Sequence, residues 1–243
     1  MGTSEIDVTF DVRTDARGKD PDSHSATLRR YHRLLWSKPL PSGTPFDLDA
    51  KLHHRSRLGE FWLSSDGITH TYSAWTRPRR LVEVLAQVPA AEVASFYNLG
   101  CTVGAYTVFP ASVRVDGKWR QSINQSRGIH PKIRDRFDLT LECIRRMYLG
   151  RGSPLANALA PYERFFALFE TFPGYVDHFL LNDLVSDDYA HVRHWTDFDE
   201  FAGDALPASS VAHYRSYAGN AMAFIRARNE RIANAPLFDT AAG

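Results

Sequence analysis

Four side chains between residues 120 and 134 have the types and spacing to bind an anion: Arg120, Asn124, Arg127 and Arg134. Strand alternation through Trp119-Arg120-Gln121-Ser122-Ile123-Asn124 places Arg120, Ser122 and Asn124 on one face and Trp119 and Ile123 on the other. Gln125-Ser126-Arg127-Gly128 then leads into a helix expected to begin near Pro131, a residue suited to the first helical position. Unbonded N–H groups at a helix start carry partial positive charge. Lys132 and Arg134 in that first turn oppose the dipole by about 0.3–1 kcal/mol each, a placement that a bound anion would justify. Arg127 is the candidate to grip a phosphate or carboxylate bidentately, with amides near Gly128 completing the cradle. Asp138, Glu142 and His130 are the nearest groups for acid–base work.

The same residues also have a structural reading. Asp135 shares the turn with Lys132 and Arg134. Arg134, Asp138, Glu142 and Arg146 recur every four residues, the spacing of a solvated ladder whose ion pairs are worth about 0.2–0.5 kcal/mol each. A second constellation runs from Asp187 to His194, with Asp177, His178 and Asp183 upstream. On a helix, Asp187 or Asp188, His191 and His194 would share a face, and two imidazoles with a carboxylate suit zinc or iron. The histidines are three apart rather than the four of the metalloprotease helix, and no glutamate follows the first. An acidic surface with incidental histidines is the commoner arrangement. No other cofactor is expected, because Gly100, Gly104, Gly117 and Gly128 form neither a Walker nor a dinucleotide fingerprint.

The remaining candidates are weaker. His70, on an apolar strand face, reads as a hydrogen-bonded core histidine. Cys101 and Cys143 lack a CxxC partner and read as buried thiols. Trp75 beside Arg77, Arg79 and Arg80 resembles a small nucleic-acid-binding surface.

The elements that must position these groups change type along the chain. Ser25 is a plausible N-cap for a helix over Thr27 to Trp36, which Pro39, Pro41 and Pro45 terminate. Phe61 to Ser65 and Ile68 to Tyr72 flank Asp66-Gly67, which favours a two-residue hairpin; Val113 to Val115 and Lys118 to Arg120 flank Asp116-Gly117 likewise. A strand is expected from Thr102 to Phe109, closed by Pro110, and short helical pieces over Arg80 to Gln87 and Ala90 to Phe96. Ile133, Phe137, Leu141, Ile144 and Tyr148 form one helical stripe. Leu155 to Phe172, Tyr175 to Val185 and Ser210 to Ala233 complete a helical C-terminal half, and the tail after Asn234 is expected to fray. The fold class is therefore α+β: a twisted antiparallel sheet of hairpins covered by C-terminal helices, in one domain over residues 1–243.

Composition bounds the function classes. Among 243 residues, 29 Lys and Arg balance 28 Asp and Glu, 44% are hydrophobic, and only two are cysteine. That excludes a polyanion-coating protein and wholesale disorder. Without a long apolar run or a signal-peptide pattern, a cytoplasmic protein with no membrane partner is expected. The neutral total hides an asymmetry: residues 114–151 carry +6 and residues 162–205 carry −8. The two segments either pair internally or serve separate ligands or a second copy of the chain.

Six strings give the chain a resemblance. They are Gly18-Lys19-Asp20-Pro21-Asp22, the run from Tyr31 to Pro41 (YHRLLWSKPLP), Leu63-Ser64-Ser65-Asp66, Tyr106-Thr107-Val108-Phe109-Pro110, Ile123-Asn124-Gln125-Ser126-Arg127-Gly128, and the run from Asp135 to Arg146 (DRFDLTLECIRR). Together they resemble a bacterial, largely actinobacterial family of uncharacterised proteins, over about residues 8 to 232. The resemblance implies a full-length domain and transfers no catalytic residue.

The leading expectation is an enzyme or effector that handles a phosphate-bearing small molecule or nucleic acid at a strand-to-helix junction. Arg120, Arg127 and Arg134 would bind the anion, Asn124 would orient it, and Asp138 or Glu142 would shuttle a proton. The alternatives are a non-enzymatic binding, regulatory or protein-interaction domain using the same basic face, and a metal-dependent hydrolase using Asp187, His191 and His194.

Overall fold

The computed structural model of the chain describes residues 5–57, 59–69, 79–111, 122–205 and 208–237. Three antiparallel strands, β1 (His53–Ser56), β2 (Gly59–Gly67) and β3 (Tyr106–Pro110), lie in the order β1-β2-β3. The helices are α1 (Arg13–Ala16), α2 (Pro21–His24), α3 (Ala26–Trp36), α4 (Arg79–Leu85), α5 (Ala90–Leu99), α6 (Ile123–Ile129), α7 (Phe137–Tyr148), α8 (Ala156–Leu159), α9 (Glu163–Phe166), α10 (Phe172–His178) and α11 (Val211–Ala233). The class is α+β, with the sheet in the N-terminal half. Among the described residues no helix is long and apolar enough to cross a membrane.

The central strand departs from the hairpin expectation. Asp66 and Gly67 do not turn; they continue β2, opposite Thr107 and Tyr106 of β3. Leu63 accordingly faces Pro110 rather than His70, and Phe61 faces His54 rather than Tyr72. β2 instead pairs back onto β1, with Ser56 opposite Gly59, whose φ of 144° suits glycine. Pairing with β3 satisfies the Asp66 and Gly67 backbone, so long-range pairing overrides the Asp-Gly signal. The expected second hairpin, at 113–120, lies outside the described residues.

Helix starts follow their caps. Ser25 Oγ accepts from the Leu28 amide to start α3, and Ser210 Oγ accepts from the His213 amide to start α11. The 119–124 segment is corrected at Ser122, whose hydroxyl accepts from the Gln125 amide, making Asn124 and Arg127 residues of α6 instead of a strand and a loop. Residues 131–135 form turns, and α7 begins only at Phe137, whose N–H donates to Ile68 O (3.1 Å). Ile133, Phe137, Leu141 and Ile144 are buried as the stripe requires, but every residue from 137 to 144 is buried, so α7 crosses the interior. The expected long helix over 155–172 is broken into α8, α9 and intervening 3₁₀ turns at Ala160–Tyr162 and Ala167–Phe169.

One hydrophobic cluster extends from Ile6 to Ile232 and encloses Trp36, Phe109, Phe137, Phe169 and Tyr175. Two devices lock α11 to the sheet. Asn229 Oδ1 accepts from the Gly104 amide (2.8 Å), and a Cβ at residue 104 would stand 2.4 Å from that oxygen, so only glycine permits the approach. Arg228, fully buried, donates to the carbonyls of Gly104 (3.1 Å), Tyr106 (2.7 Å) and Phe179 (3.1 Å). Burial pushes its guanidinium down to about 10, because backbone carbonyls rather than a carboxylate receive it.

Candidate functional site: a paired-aspartate cluster

The polar groups that converge come from α2, α3, β2 and α6. Trp36 Nε1–H donates to His32 Nδ1 (3.1 Å). The ring proton therefore sits on Nε2, which faces Ser65 Oγ at 2.9 Å, and the Ser65 hydroxyl in turn donates to Asp22 Oδ1 (3.1 Å). His32 and Trp36 are i, i+4 neighbours on α3, which explains how one helix supplies both. Burial pushes His32 down to about 3, so the imidazole stays neutral. The order of groups differs from a serine-hydrolase triad: the acid rests on the serine, and the histidine has no lone pair free for its proton. Ser65 is an anchor for Asp22.

Every nitrogen of the buried Arg127 guanidinium is engaged by the chain itself. Its Nη1 donates to Asp66 Oδ2 (2.7 Å) and Gly67 O (2.9 Å), its Nε to Thr140 Oγ1 (3.1 Å), and its Nη2 to the Asp135 carbonyl. Asn124, one turn earlier, donates to Ser64 Oγ (3.2 Å) and Ser65 O (3.0 Å) and so pins α6 to the strand.

Two half-buried carboxyls remain, with different proton affinities. Burial pushes Asp22 up to about 8, helped by the negative charges of Asp66 and Asp20 and opposed by the Ser65 hydroxyl. Burial also raises Asp66, but Arg127 restrains it at about 6. Its side chain keeps 19% exposure. Near neutral pH the first is mainly a carboxylic acid and the second mainly a carboxylate, the division of labour that acid–base sites use. Tyr106 borders the pair, its phenol raised by burial and by Asp22.

The residues expected to bind an anion have other placements. Arg120 lies outside the described residues. Arg127 reaches the cluster, with its donors already bound by its own chain. Arg134 precedes α7 with a left-handed φ of 51°, and its buried Nε has no partner. His130 caps α6, its Nδ1 accepting from the Lys132 amide, and burial with the Lys132 charge lowers its proton affinity. Of the four-residue ladder, only the Glu142–Arg146 rung forms among the described residues. Asp138 is wholly internal and accepts from Arg136 (3.2 and 2.6 Å) and the Trp195 amide (2.9 Å). Glu142, also internal, is held by Arg145 and Arg146, and Arg146 further pairs with Glu200. That last contact joins the basic and acidic segments within one fold.

The Asp187, His191, His194 set loses its premise, because the segment is not helical: Val185 and Val192 form a bridge that folds residues between them into a turn. Asp187 and His191 are exposed, while His194 stacks on Phe198 (4.1 Å). Among the described residues no group of three or more His, Cys, Asp or Glu side chains is placed to hold a metal ion. Cys101 and Cys143 are free and buried, and burial raises their thiols to about 11 and about 12. His70, Trp75 and Arg77 fall outside the described residues, and Arg79 and Arg80 begin α4.

The fold and this cluster define an α+β protein with an aspartate pair whose proton affinities are split by the groups behind them. The chain belongs to a family of unknown function (DUF6994), which matches residues 6–232. Searches of the curated proteins and of the solved structures found no match. The strings that carried the resemblance supply the whole cluster: Asp22, His32 with Trp36, Ser65 with Asp66, Tyr106, and Asn124 with Arg127. Sequence reading missed Asp22 and Asp66 because both sit at loop-like motifs, Asp-Pro-Asp and Asp-Gly.

Proposed function

We propose that the chain is an enzyme that performs acid–base chemistry with Asp22 and Asp66. The observation that carries this reading is the pair itself: two half-buried carboxyls near enough for the Asp66 charge to act on Asp22, one hydrogen-bonded to a neutral Ser65–His32–Trp36 chain and the other to Arg127. Asp22 would deliver a proton to a leaving oxygen or nitrogen while Asp66 takes one from the attacking water or hydroxyl. A carboxylic acid beside a carboxylate suits an uncharged, hydroxyl-bearing group at the reacting atom. A phosphate carried elsewhere on the substrate would fall to Arg134, which makes no ion pair among the described residues. The setting proposed is the cytosol.

The test is a thermal-shift screen of nucleosides, nucleotides, sugar phosphates and aryl glycosides, followed by turnover assays on those that stabilise the protein. A ligand at 100 times its dissociation constant adds about 2.7 kcal/mol. Turnover should vanish in Asp22→Asn and in Asp66→Asn while both proteins remain folded. Turnover that survives both substitutions overturns the assignment.

A further inference from the structure

Lys38 follows α3 and takes no part in the aspartate cluster. It lines a separate cavity of about 510 Å³ together with Leu35, Leu180, Asp183, Glu230 and Arg231. The side chain is half-buried, and its ammonium nitrogen lies 5.6 Å from the centroid of the Trp36 ring. It makes no hydrogen bond or ion pair among the described residues. The carboxylates around it are engaged elsewhere: Asp183 holds Arg231 (2.8 Å), and Asp177 accepts from Tyr189 (2.7 Å) and Asn182 (2.6 Å). The fully buried Arg228 lies over the same Trp36 ring, at 5.8 Å, adding a like charge. An amine so placed loses hydration without an ion-pair contact; burial pushes it down to about 8, with the Asp177 charge opposing that shift and the Arg228 charge adding to it. At pH 7 roughly a tenth of it is then free base, against well under a hundredth for an ordinary lysine.

We propose that Lys38 is a nucleophilic amine and that its cavity takes a small aldehyde or ketone as a covalent imine. The neutral nitrogen attacks the carbonyl carbon, a C–N bond forms, and the C=O π electrons pass to oxygen, which takes a proton. The nitrogen then loses a proton, the protonated hydroxyl leaves as water, and the C=N bond forms with no change of oxidation state. Glu230 lines the same cavity and is the carboxyl we assign to relay these protons. In the cavity lining Lys38 and Arg231 balance Asp183 and Glu230, so charge alone does not select an anion there.

The chain's five lysines, Lys19, Lys38, Lys51, Lys118 and Lys132, make the test clean. The full chain is treated at pH 7 with benzaldehyde and cyanoborohydride, and the benzylated positions are followed by peptide mass. Lys38 should be labelled at least about tenfold faster than the exposed Lys19 and Lys51, with a rate that rises through a midpoint near pH 8. Lys38→Arg should abolish that fast phase and leave the circular-dichroism spectrum unchanged. Labelling of Lys38 no faster than Lys19 and Lys51, or a rate midpoint near 10, overturns the proposal. Peptide mapping separates the N-terminal amine, which also ionises near 8, and none of these readouts depends on Asp22 or Asp66.

Discussion

His32 Nε2 stands 2.9 Å from Ser65 Oγ with its other ring nitrogen held by Trp36, so the protonated side of a buried, neutral imidazole faces a strand hydroxyl. Removing that hydroxyl strands a donor on His32 and an acceptor on Asp22. Ser65→Ala should cost about 1–3 kcal/mol in urea unfolding. It should also raise the titration point of Asp22 further, since the hydrogen bond from Ser65 favours the charged carboxylate. Carbon-detected NMR of the Asp22 carboxyl reads the second effect directly.

The aspartate pair makes stability depend on pH in an unusual direction. Asp22 ionises near 3.8 when unexceptional and near 8 in the fold, so folding favours its protonated form. That contribution is complete below about pH 4 and is lost as pH climbs through 8. Asp66 acts in the same sense and is spent by about pH 6. The melting temperature of the native chain should therefore fall between about pH 5 and pH 9 more steeply than that of Asp22→Asn. Parallel slopes would show that Asp22 is not protonated in the fold.

Arg127 answers to several acceptors at once, and its loss strands Asp66. Arg127→Met should destabilise by about 3–5 kcal/mol in chemical denaturation. Arg127→Lys should not restore it, because a single ammonium cannot reach Asp66, Gly67 O, Thr140 and Asp135 together. Adding Asp66→Asn to Arg127→Met should recover part of the loss, a coupling that a double-mutant cycle measures.

Asp138 belongs to the architecture. Asp138→Asn breaks a buried pair with Arg136 and weakens the contact to the Trp195 amide, and should lower the melting temperature, at an expected cost of about 3–5 kcal/mol. An unchanged melting temperature would contradict that role.

Local rules were legible where short-range chemistry decides. Ser25 and Ser210 cap the helices their sequences announce, and the apolar spacing of Phe137, Leu141 and Ile144 marks a helix that is there. They failed where distant partners decide. Asp66-Gly67 reads as a turn until Thr107 and Tyr106 arrive to pair with it, and Arg127 reads as an open grip until Asp66 arrives to fill it. Asp22 lies 43 residues from Ser65 along the chain, so no window of the sequence holds the two together. Asp138 and Glu142 were seen as charges on a helix, but their burial depends on elements packed around α7 from the rest of the chain.

The grip of Arg228 on the carbonyls of Gly104, Tyr106 and Phe179 has a consequence for biosynthesis. A nascent chain on the ribosome exposes the start of β3 long before residue 228 leaves the exit tunnel. Until then those carbonyls have no guanidinium to receive, and a chaperone that shields the unfinished sheet would be most needed in that interval.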